Sequence, residues 1–286
     1  MSPTLSRRAC LLAAAFALSC RSSNPSRPGD GQRIVSLTPN TTETVYALGA
    51  GNRMVGRSRY CDYPAEVHQL PSVGGYVDPS LEAILALQPT LVIGARGPIG
   101  RSLVDKLEAR EIQCFFPPTE SVEQILAMIS GLAEHLDTPQ AAIHLTTSIR
   151  ERLHHLQLQV QPLSSPRTLL VFGQSPISVA GPGSFPDEML RLAGCKNAVE
   201  RGSHYPTLGF ETVIGLDPDL IIDATMAAER STTPIHAQKA GWSSVRAVRE
   251  GNVVRLGDDR ILRPGPRLAD GVALLARHAH KGVSIP

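Results

Sequence analysis

A thirteen-residue pattern that occurs twice limits what this chain can fold into more than any other feature. In one-letter code, residues 81–93 read LEAILALQPTLVI and residues 210–222 read FETVIGLDPDLII. Both segments have Glu at the second position, Pro at the ninth and an apolar triplet at the end. They begin 129 residues apart. An internal repeat at this distance indicates that the chain consists of two similar halves.

Each copy of the repeat predicts a short helix that runs into a buried strand. The apolar residues before the proline recur at helical spacing. Pro89 and Pro218 are expected to end the helices, because the residue before a proline is disfavoured in the α region. The apolar triplets at 91–93 and 220–222 are typical of strands that are covered on both faces, as in a parallel sheet.

The repeat places Glu82 and Glu211 in the first turn of the two helices. A carboxylate there gains roughly 0.3–1 kcal/mol from the helix dipole, which is a sufficient reason for either residue alone. The dipole does not require Glu at the same position twice. We therefore expect both halves to use this carboxylate in the same way.

The segments around the repeat predict an α/β fold. Strands and helices alternate in the first half, which indicates a parallel sheet. Residues 139–161 contain no Gly and no Pro after Pro139, so they predict one helix of about 34 Å, long enough to join two lobes. The other expected strands are 33–37, 112–116, 168–172, 177–180 and 252–255. Helices are expected at 41–48, 80–87, 99–109, 121–135, 184–193 and 243–248, with a last one from about 267 to 278. Thr41 or Thr42 is expected to cap the first of these helices, and Gly49 to close it.

The N-terminus predicts export. Arg7 and Arg8 precede a short apolar stretch at 9–18, which is too short to span a bilayer and is typical of a signal peptide over residues 1–19. Ala-Leu-Ser before Cys20 resembles a bacterial lipobox, which predicts a lipid anchor on Cys20. An ordinary signal peptide with an incidental cysteine is the alternative, and both the Sec and the twin-arginine export routes stay open. Residues 20–32 are expected to be a flexible tether.

Charge and cysteine content exclude several classes of protein. The formal net charge of +2 comes from 28 basic and 26 acidic residues. Because Arg7 and Arg8 belong to the signal, the rest is close to neutral and no nucleic-acid partner is expected. Cys61, Cys114 and Cys195 are too scattered for a disulfide framework or a metal-ligand motif. Cys114 lies in an apolar run and is expected to be buried.

Several motifs in order resemble one family. They are RIVSLTPNTTE at 33–43, YCDYP at 60–64, VGGYVDPSLE at 73–82, GPGSF at 181–185, AGCKN at 193–197 and RPGPR at 263–267. The chain is similar over about residues 33–280 to the periplasmic binding proteins of vitamin B12, siderophore and haem importers, and the second and third motifs fit the cobalamin-binding branch best.

The resemblance implies two Rossmann-like lobes joined by a single long helix, with the ligand held in the cleft between them. On this basis the N-terminal lobe is expected at 33–138, the linking helix at 139–161 and the C-terminal lobe at 166–286. It also implies that Glu82 and Glu211 pair with arginines of a membrane permease, since Arg–carboxylate contacts are directional and often bidentate.

Candidate cleft residues follow from the same resemblance. Tyr60 and Tyr76 occupy motifs that place aromatic rings against a corrin, although the cobalamin branch commonly has Trp where Tyr76 stands and another aromatic near Ala95. Arginines near the last helix are expected to contact polar groups of a ligand. Phe185 either lines the cleft or packs against Leu190. The expected ligand-binding residues are Tyr60, Tyr76, Arg96, Phe185, Tyr205, Arg260, Arg263 and Arg267.

Specific residues bear on other possible functions. Gly-Gln-Ser175 begins like a hydrolase nucleophile elbow but lacks the closing Gly, and no P-loop or dinucleotide loop is present. His154 and His155 are adjacent on one helix and point about 100° apart, so they cannot easily share a metal. His278 and His280 lie near the terminus. A haem ligand would make Tyr60, Tyr76, His204 or Tyr205 candidate axial ligands.

The sequence therefore predicts a periplasmic binding protein, monomeric and without a resident cofactor or metal, that delivers cobalamin to an ABC permease and its ATPase. A ferric siderophore or haem carrier is the alternative, and a secreted hydrolase is the alternative of another class. Little lobe motion is expected on binding, because a continuous helix is a poor hinge.

Overall fold

The computed structural model describes residues 31–97, 101–229 and 233–283. The predicted signal peptide, Cys20 and most of the tether lie outside these residues. Sequence and structure agree on the class of fold, which is two α/β lobes joined by one long helix. In the N-terminal lobe the elements are β1 (Ile34–Ser36), α1 (Pro39–Ala47), β2 (Met54–Arg57), α2 (Leu81–Ala86), β3 (Leu91–Ile93), α3 (Arg101–Glu108), β4 (Gln113–Phe115) and α4 (Val122–Leu136).

The sheet of the N-terminal lobe is entirely parallel, as the alternation of elements predicted. Its strand order is β2-β1-β3-β4. Val92 of β3 pairs with Val35 on one side and with Cys114 on the other. All three residues of both β1 and β3 are buried, which explains their continuous apolar sequence. Cys114, expected to be buried, is only half-buried because β4 lies at the sheet edge.

A helix of 22 residues, α5 (Pro139–Val160), links the lobes. It begins at the predicted proline and packs against α4 of the N-terminal lobe. After it come β5 (Arg167–Gln174), β6 (Ile177–Val179), α6 (Phe185–Leu192), β7 (Lys196–Asn197), β8 (Thr207–Leu208), α7 (Phe210–Leu216), β9 (Leu220–Asp223), α8 (Thr225–Glu229), α9 (Arg246–Arg249), β10 (Val253–Arg255) and α10 (Leu268–Ala279).

The sheet of the C-terminal lobe is mixed. Its order is β10-β9-β5-β6-β8, and β7 also pairs with β5. Strands β7, β9 and β10 run parallel to their neighbours, whereas β6 and β8 are antiparallel. The second copy of the repeat forms α7 and β9, as the first copy forms α2 and β3. The sequence did not predict β2, β7, β8 or α8.

The linking helix packs against both lobes at once. Besides α4, it contacts α6 and α10 of the C-terminal lobe. Its buried residues Ile149, Leu153 and Leu156 belong to one apolar core that continues from β1 to α10. Among the described residues no helix has the length and apolar character needed to cross a membrane.

Helix ends agree with the sequence in some places and not in others. Ser121 caps α4 as predicted, because its Oγ accepts a hydrogen bond from the N–H of Gln124 at 3.2 Å. Gly49 closes α1 with a φ of +77°. However, α1 begins at Pro39 rather than near Thr41, since proline suits a first helical turn. The helix expected at 243–248 is a short 3-10 turn followed by α9.

The two repeat helices end before their prolines, as predicted. The residues before Pro89 and Pro218 leave the right-handed α region. Gln88 and Asp217 take left-handed conformations with φ of +46° and +40°. A left-handed residue ends a helix by turning the chain sharply. The repeat therefore encodes a left-handed stop one residue before its proline.

Candidate functional site

A cavity of about 430 Å³ opens between the two lobes. Its volume falls in the range of about 300–1,000 Å³ that is usual for small-molecule sites. Residues of both lobes line it, and most of them are apolar or aromatic. They are Thr38, Pro39, Asn40, Tyr76, Ala95, Arg96, Thr119 and Glu120 from the N-terminal lobe and Phe172, Phe185, Pro186, Tyr205, Ala228, Leu262, Arg263 and Pro264 from the C-terminal lobe.

The cavity lies where the topology predicts a ligand. Thr38 follows β1, Arg96 follows β3 and Glu120 follows β4, so all three stand beyond the carboxyl ends of parallel strands. Open α/β sheets bind ligands at this edge. The parallel arrangement of the N-terminal sheet therefore brings residues that are far apart in sequence to one wall of the cavity.

Tyr76 and Tyr205 occupy matching places in the two lobes. They stand 129 residues apart, the same spacing as the repeat, and each comes six residues before the repeated Glu. Both line the cavity. Tyr76 contacts Tyr60 edge-on, and Tyr205 contacts Phe172 edge-on. In both pairs the ring centroids are 5.9 Å apart and the ring planes meet at 71°.

These two pairs give each lobe one supported aromatic ring at the cavity. Edge-to-face packing is a favoured arrangement of aromatic rings and fixes their orientation. Tyr60 does not itself line the cavity; it stands behind Tyr76, and the guanidinium of Arg59 lies 5.1 Å from its ring. Of the predicted ligand-binding tyrosines, Tyr76 and Tyr205 thus reach the cavity and Tyr60 supports one of them.

A hydrogen bond joins the lobes across the cavity. The phenol of Tyr205 donates to Oε2 of Glu120 at 2.6 Å. Burial of the phenol and this hydrogen bond both raise the pKa of Tyr205 above its usual range, although 46% of the residue is exposed. Tyr205 is therefore a proton donor at neutral pH in this arrangement.

Arg263 and Arg267 were expected to contact a ligand, but their charges are used within the protein. Glu43 of α1, whose side chain is 1% exposed, accepts from Nη1 of Arg263 at 2.8 Å. It also accepts from Nε and Nη2 of Arg267 at 2.8 and 2.6 Å. Arg263 further pairs with Asp62 at 2.6 Å and with Asp259. We call these five residues the inter-lobe ion-pair cluster.

The cluster ties the lobes together beside the cavity. Glu43 and Asp62 belong to the N-terminal lobe and the other three to the C-terminal lobe. Burial by itself lowers the pKa of Arg263, but Glu43, Asp259 and Asp62 raise it on balance. Arg263 still lines the cavity, whereas Arg267 does not and lies with its guanidinium 4.0 Å from the ring of Tyr63.

The remaining predicted arginines differ from each other. Arg260 does not line the cavity, because its guanidinium binds both carboxylate oxygens of Asp258. Arg96 lines the cavity and is exposed. In the described parts of the chain no carboxylate forms an ion pair with Arg96. Arg96 is thus the cavity's available cation.

Phe185 combines the two roles that the sequence left open. It is the first residue of α6, is 2% exposed and forms part of the cavity wall. His204 lies beside Tyr205, with ring centroids 6.4 Å apart, but does not line the cavity. Within the described residues no group of three or more His, Cys, Asp or Glu side chains is arranged to hold a metal ion.

Glu82 and Glu211 lie in the first turns of α2 and α7, as the sequence predicted. Both side chains are exposed. Neither forms an ion pair or a side-chain hydrogen bond with another described residue. Because Tyr76 and Tyr205 precede them by six residues, each Glu stands close in sequence to a loop that lines the cavity.

Several residues that line the cavity were not predicted from the sequence, and three of them show which signal would have found them. Phe172 was assigned only to a strand, Glu120 was assigned no role, and Asn40 was read only as part of a family motif. All three lie near strand ends, so the rule that ligands bind at carboxyl ends of strands points to them. The spacing of 129 residues would also have shown that Tyr76 and Tyr205 correspond.

Comparisons with known proteins agree with this architecture. The sequence profile described as periplasmic binding protein matches residues 34–260. A vitamin B12-binding protein of Vibrio parahaemolyticus is 28% identical over 249 residues, which cover 86% of this chain and 89% of the relative.

Two solved structures are similar over most of their length. The periplasmic vitamin B12-binding protein of Vibrio cholerae has a TM-score of 0.75 and 26% identity, covering 87% of this chain and 96% of the other. A periplasmic haem-binding protein of Pseudomonas aeruginosa has a TM-score of 0.77 and 28% identity, covering 88% and 94%. The fold is therefore shared with binding proteins for two different metal macrocycles.

Proposed function

Because this chain belongs to the periplasmic binding protein family, we propose that it captures cobalamin in the cleft between its lobes and delivers it to the permease of an ABC importer. The proposal is for binding and delivery, without catalysis. It places the protein in the periplasm, with an anchor through lipidated Cys20.

The observation that carries the proposal is the matched pair of supported tyrosines. Tyr76 and Tyr205 come from opposite lobes, line one cavity and are each held by an edge-on aromatic partner in the same geometry. A large flat macrocycle offers two faces and an extended edge. Rigid aromatic side chains with polar tips suit such a ligand because they provide contact area at little entropic cost.

Relatives favour cobalamin among the macrocycles. Proteins named vitamin B12-binding protein align with this chain over nearly all of the lobes. Haem is the second candidate, because the Pseudomonas aeruginosa haem-binding protein is as similar to this chain as those relatives are. In the described geometry the hydroxyl of Tyr205 keeps its proton and donates a hydrogen bond to Glu120, so it is not free to bind iron as a phenolate unless that hydrogen bond opens.

Delivery requires contact with a membrane partner. Exposed Glu82 and Glu211, one on each lobe, are proposed to pair with arginines of the permease, which works with its ATPase. A carboxylate without an internal partner is available for a bidentate Arg contact. Two separated contacts also reinforce each other, since the second forms within an already docked complex.

Retention of a coloured ligand tests the binding proposal. The mature chain is incubated separately with cyanocobalamin, hemin and a ferric siderophore, desalted, and measured by absorbance. We expect retention of cyanocobalamin at a 1:1 ratio. Retention of hemin alone would replace cobalamin with haem, and retention of no ligand would reject the proposal.

Substitutions at the two cavity tyrosines test whether cyanocobalamin binds between them. Tyr76→Ala and Tyr205→Ala are each expected to weaken cyanocobalamin binding on the order of tenfold, because a buried aromatic contact is lost. Val77→Ala is the matched control, since Val77 is adjacent to Tyr76 but 58% exposed and not part of the cavity wall. Equal affinity in all three variants would place the ligand elsewhere.

A further inference from the structure

We propose that Glu120 determines the specificity of the cleft by accepting hydrogen bonds from amide groups at the edge of a macrocycle and by disfavouring macrocycles that carry carboxylates there. This inference rests on the proposed function, and it assigns the chemistry of the ligand's edge.

Glu120 is the only acidic residue among the described residues that line the cavity. It lies in the loop between β4 and α4 and is half-buried. None of the described cations forms an ion pair with it. Its charge is therefore directed at the cavity rather than neutralised within the protein.

The acidic groups beside the cavity are in a different situation. Glu43, Asp62 and Asp259 belong to the inter-lobe ion-pair cluster, where each forms an ion pair with Arg263. Arg263 reaches the cavity wall, but its guanidinium is shared among these three acids. Among the described charged residues that line the cavity, Glu120 and Arg96 are the two that form no ion pair within the protein, one of each sign.

The two charges do not discriminate equally. Arg96 can bind a phosphate or a carboxylate, so it accommodates cobalamin through its phosphate and haem through its propionates. A carboxylate such as Glu120 only accepts hydrogen bonds. It is complementary to primary amides, which the corrin edge of cobalamin carries, and it repels the propionates of haem. Like charges brought together at a binding interface weaken binding.

Tyr205 orients the discriminating group. Its hydroxyl occupies one hydrogen-bonding site on Oε2 of Glu120. A carboxylate has about four lone-pair sites, so acceptor capacity remains for a ligand. The hydrogen bond crosses from one lobe to the other, which holds the carboxylate in place while the lobes are together. Tyr205 is thus a positioning residue for Glu120 as well as a contact surface.

Two corrins that differ only at the edge test this inference. Dicyanocobinamide carries amides where dicyanocobyrinic acid carries carboxylates, and both keep the same ring and the same cobalt. Their affinities for the mature chain are measured by calorimetry at one pH and one salt concentration. We expect the wild type to prefer the amide corrin, and Glu120→Gln to reduce that preference about tenfold, because the repulsive charge is removed.

Matched variants separate this effect from general electrostatics. Glu123→Gln removes the same charge from an exposed position that pairs with Arg150, so we expect it to leave the preference unchanged. Tyr205→Phe keeps the carboxylate but removes the hydrogen bond that orients it, so we expect a loss of preference that is smaller than in Glu120→Gln. An equal effect of Glu120→Gln and Glu123→Gln would overturn the inference, as would a wild type that prefers the carboxylate corrin.

Binding of cyanocobalamin by the wild type separates the role of Glu120 from the proposed function. A wild type that retains cyanocobalamin but shows the same preference as Glu120→Gln contradicts only the role of Glu120. A wild type that binds neither cyanocobalamin nor dicyanocobinamide contradicts the proposed function itself.

Discussion

Thr90 and Asp219 stand directly after the proline of the repeat and have the same structural role in the two lobes. Oγ1 of Thr90 accepts a hydrogen bond from the backbone N–H of Arg33 at 3.0 Å. Oδ2 of Asp219 accepts one from the backbone N–H of Arg167 at 2.9 Å. Each arginine stands at the start of an interior strand of its sheet, β1 or β5. The polar position of the repeat therefore satisfies a backbone donor where that strand begins.

The same arginines also stabilise the ends of the repeat helices. Nη2 of Arg33 donates to the carbonyl of Leu87 at 2.8 Å, and Nη2 of Arg167 donates to that of Leu216 at 3.2 Å. Leu87 and Leu216 are the last positions before the left-handed turn. A cation there fills carbonyl acceptors that a helix end leaves open and complements its dipole.

Replacement of Asp219 by Ala should destabilise the protein by about 1 kcal/mol at neutral pH, because the N–H of Arg167 loses its acceptor. Hydrogen bonds from Arg246 and from the N–H of Arg167 lower the pKa of Asp219. Its stabilisation is therefore present above the unfolded-state value of about 3.9 and is lost as the pH falls through the lower folded-state value.

Denaturant unfolding at neutral and at acidic pH measures this effect. The difference between the wild type and Asp219→Ala should shrink in acid. Glu250→Ala is the control, since the contacts of Glu250 with Arg246 and Asn252 are both exposed and 3.4 Å long, so its loss should cost less than about 0.5 kcal/mol. A difference that does not change with pH would mean that the charge of Asp219 is unimportant.

The elements that the sequence predicted best are those whose pattern depends on burial. Strand β3 and helix α5 lie where their apolar runs and their proline placed them. Helix α8 and the two-residue strands β7 and β8 were missed, because they are too short to show a period. Their hydrogen-bonding partners are set by distant segments, such as the pairing of β8 with β6, which no local pattern encodes.

In the candidate site, too, the sequence predicted what a local pattern marks and missed what depends on distant segments. The repeat identified Glu82 and Glu211, because they recur within a local pattern. The family motif identified Arg263 and Arg267, but it did not predict that Glu43 would take up their charges. That contact joins residues about 220 positions apart in the chain and depends on how the lobes meet. The sequence thus identified the two arginines but not the carboxylate that pairs with them.

The stability of the contact between helices α1 and α10 should depend strongly on the carboxylate of Glu43. Glu43 lies in α1, and Arg267 stands immediately before α10. Replacing Glu43 by Gln leaves two guanidinium groups without their shared anion. Removing one partner of a buried ion pair costs about 3–5 kcal/mol. We therefore expect a loss of on the order of 3 kcal/mol in the free energy of unfolding.

Chemical denaturation of Glu43→Gln checks this expectation. Arg260→Gln provides the comparison, because Arg260 pairs with Asp258 outside the cluster and both side chains are about one-third exposed. That change should cost less than about 1 kcal/mol. If both variants lost the same small amount, the cluster would contribute no more than an ordinary surface pair.

Contacts of several kinds join the two lobes of the molecule. The linking helix shares one apolar core with both lobes, and the ion-pair cluster and the Tyr205–Glu120 hydrogen bond cross between them. In addition, the N–H of Val122 donates to Oε2 of Glu188 at 2.7 Å. These contacts are consistent with the small lobe motion that the continuous helix predicts.

A molecule of this kind presents its two lobes to a membrane partner as one unit, so docking should require both repeated glutamates. Glu82→Lys with Glu211→Lys should abolish uptake of labelled cobalamin by cells that carry the chain and its permease, because two Arg–carboxylate attractions become repulsions. Cobalamin affinity of the purified variant should stay within about twofold, since neither residue lines the cavity. Glu134→Lys with Glu250→Lys, an equal charge change at two other exposed positions, should leave uptake intact. Loss of affinity in the first variant would assign these glutamates to the ligand, and unchanged uptake would remove them from docking.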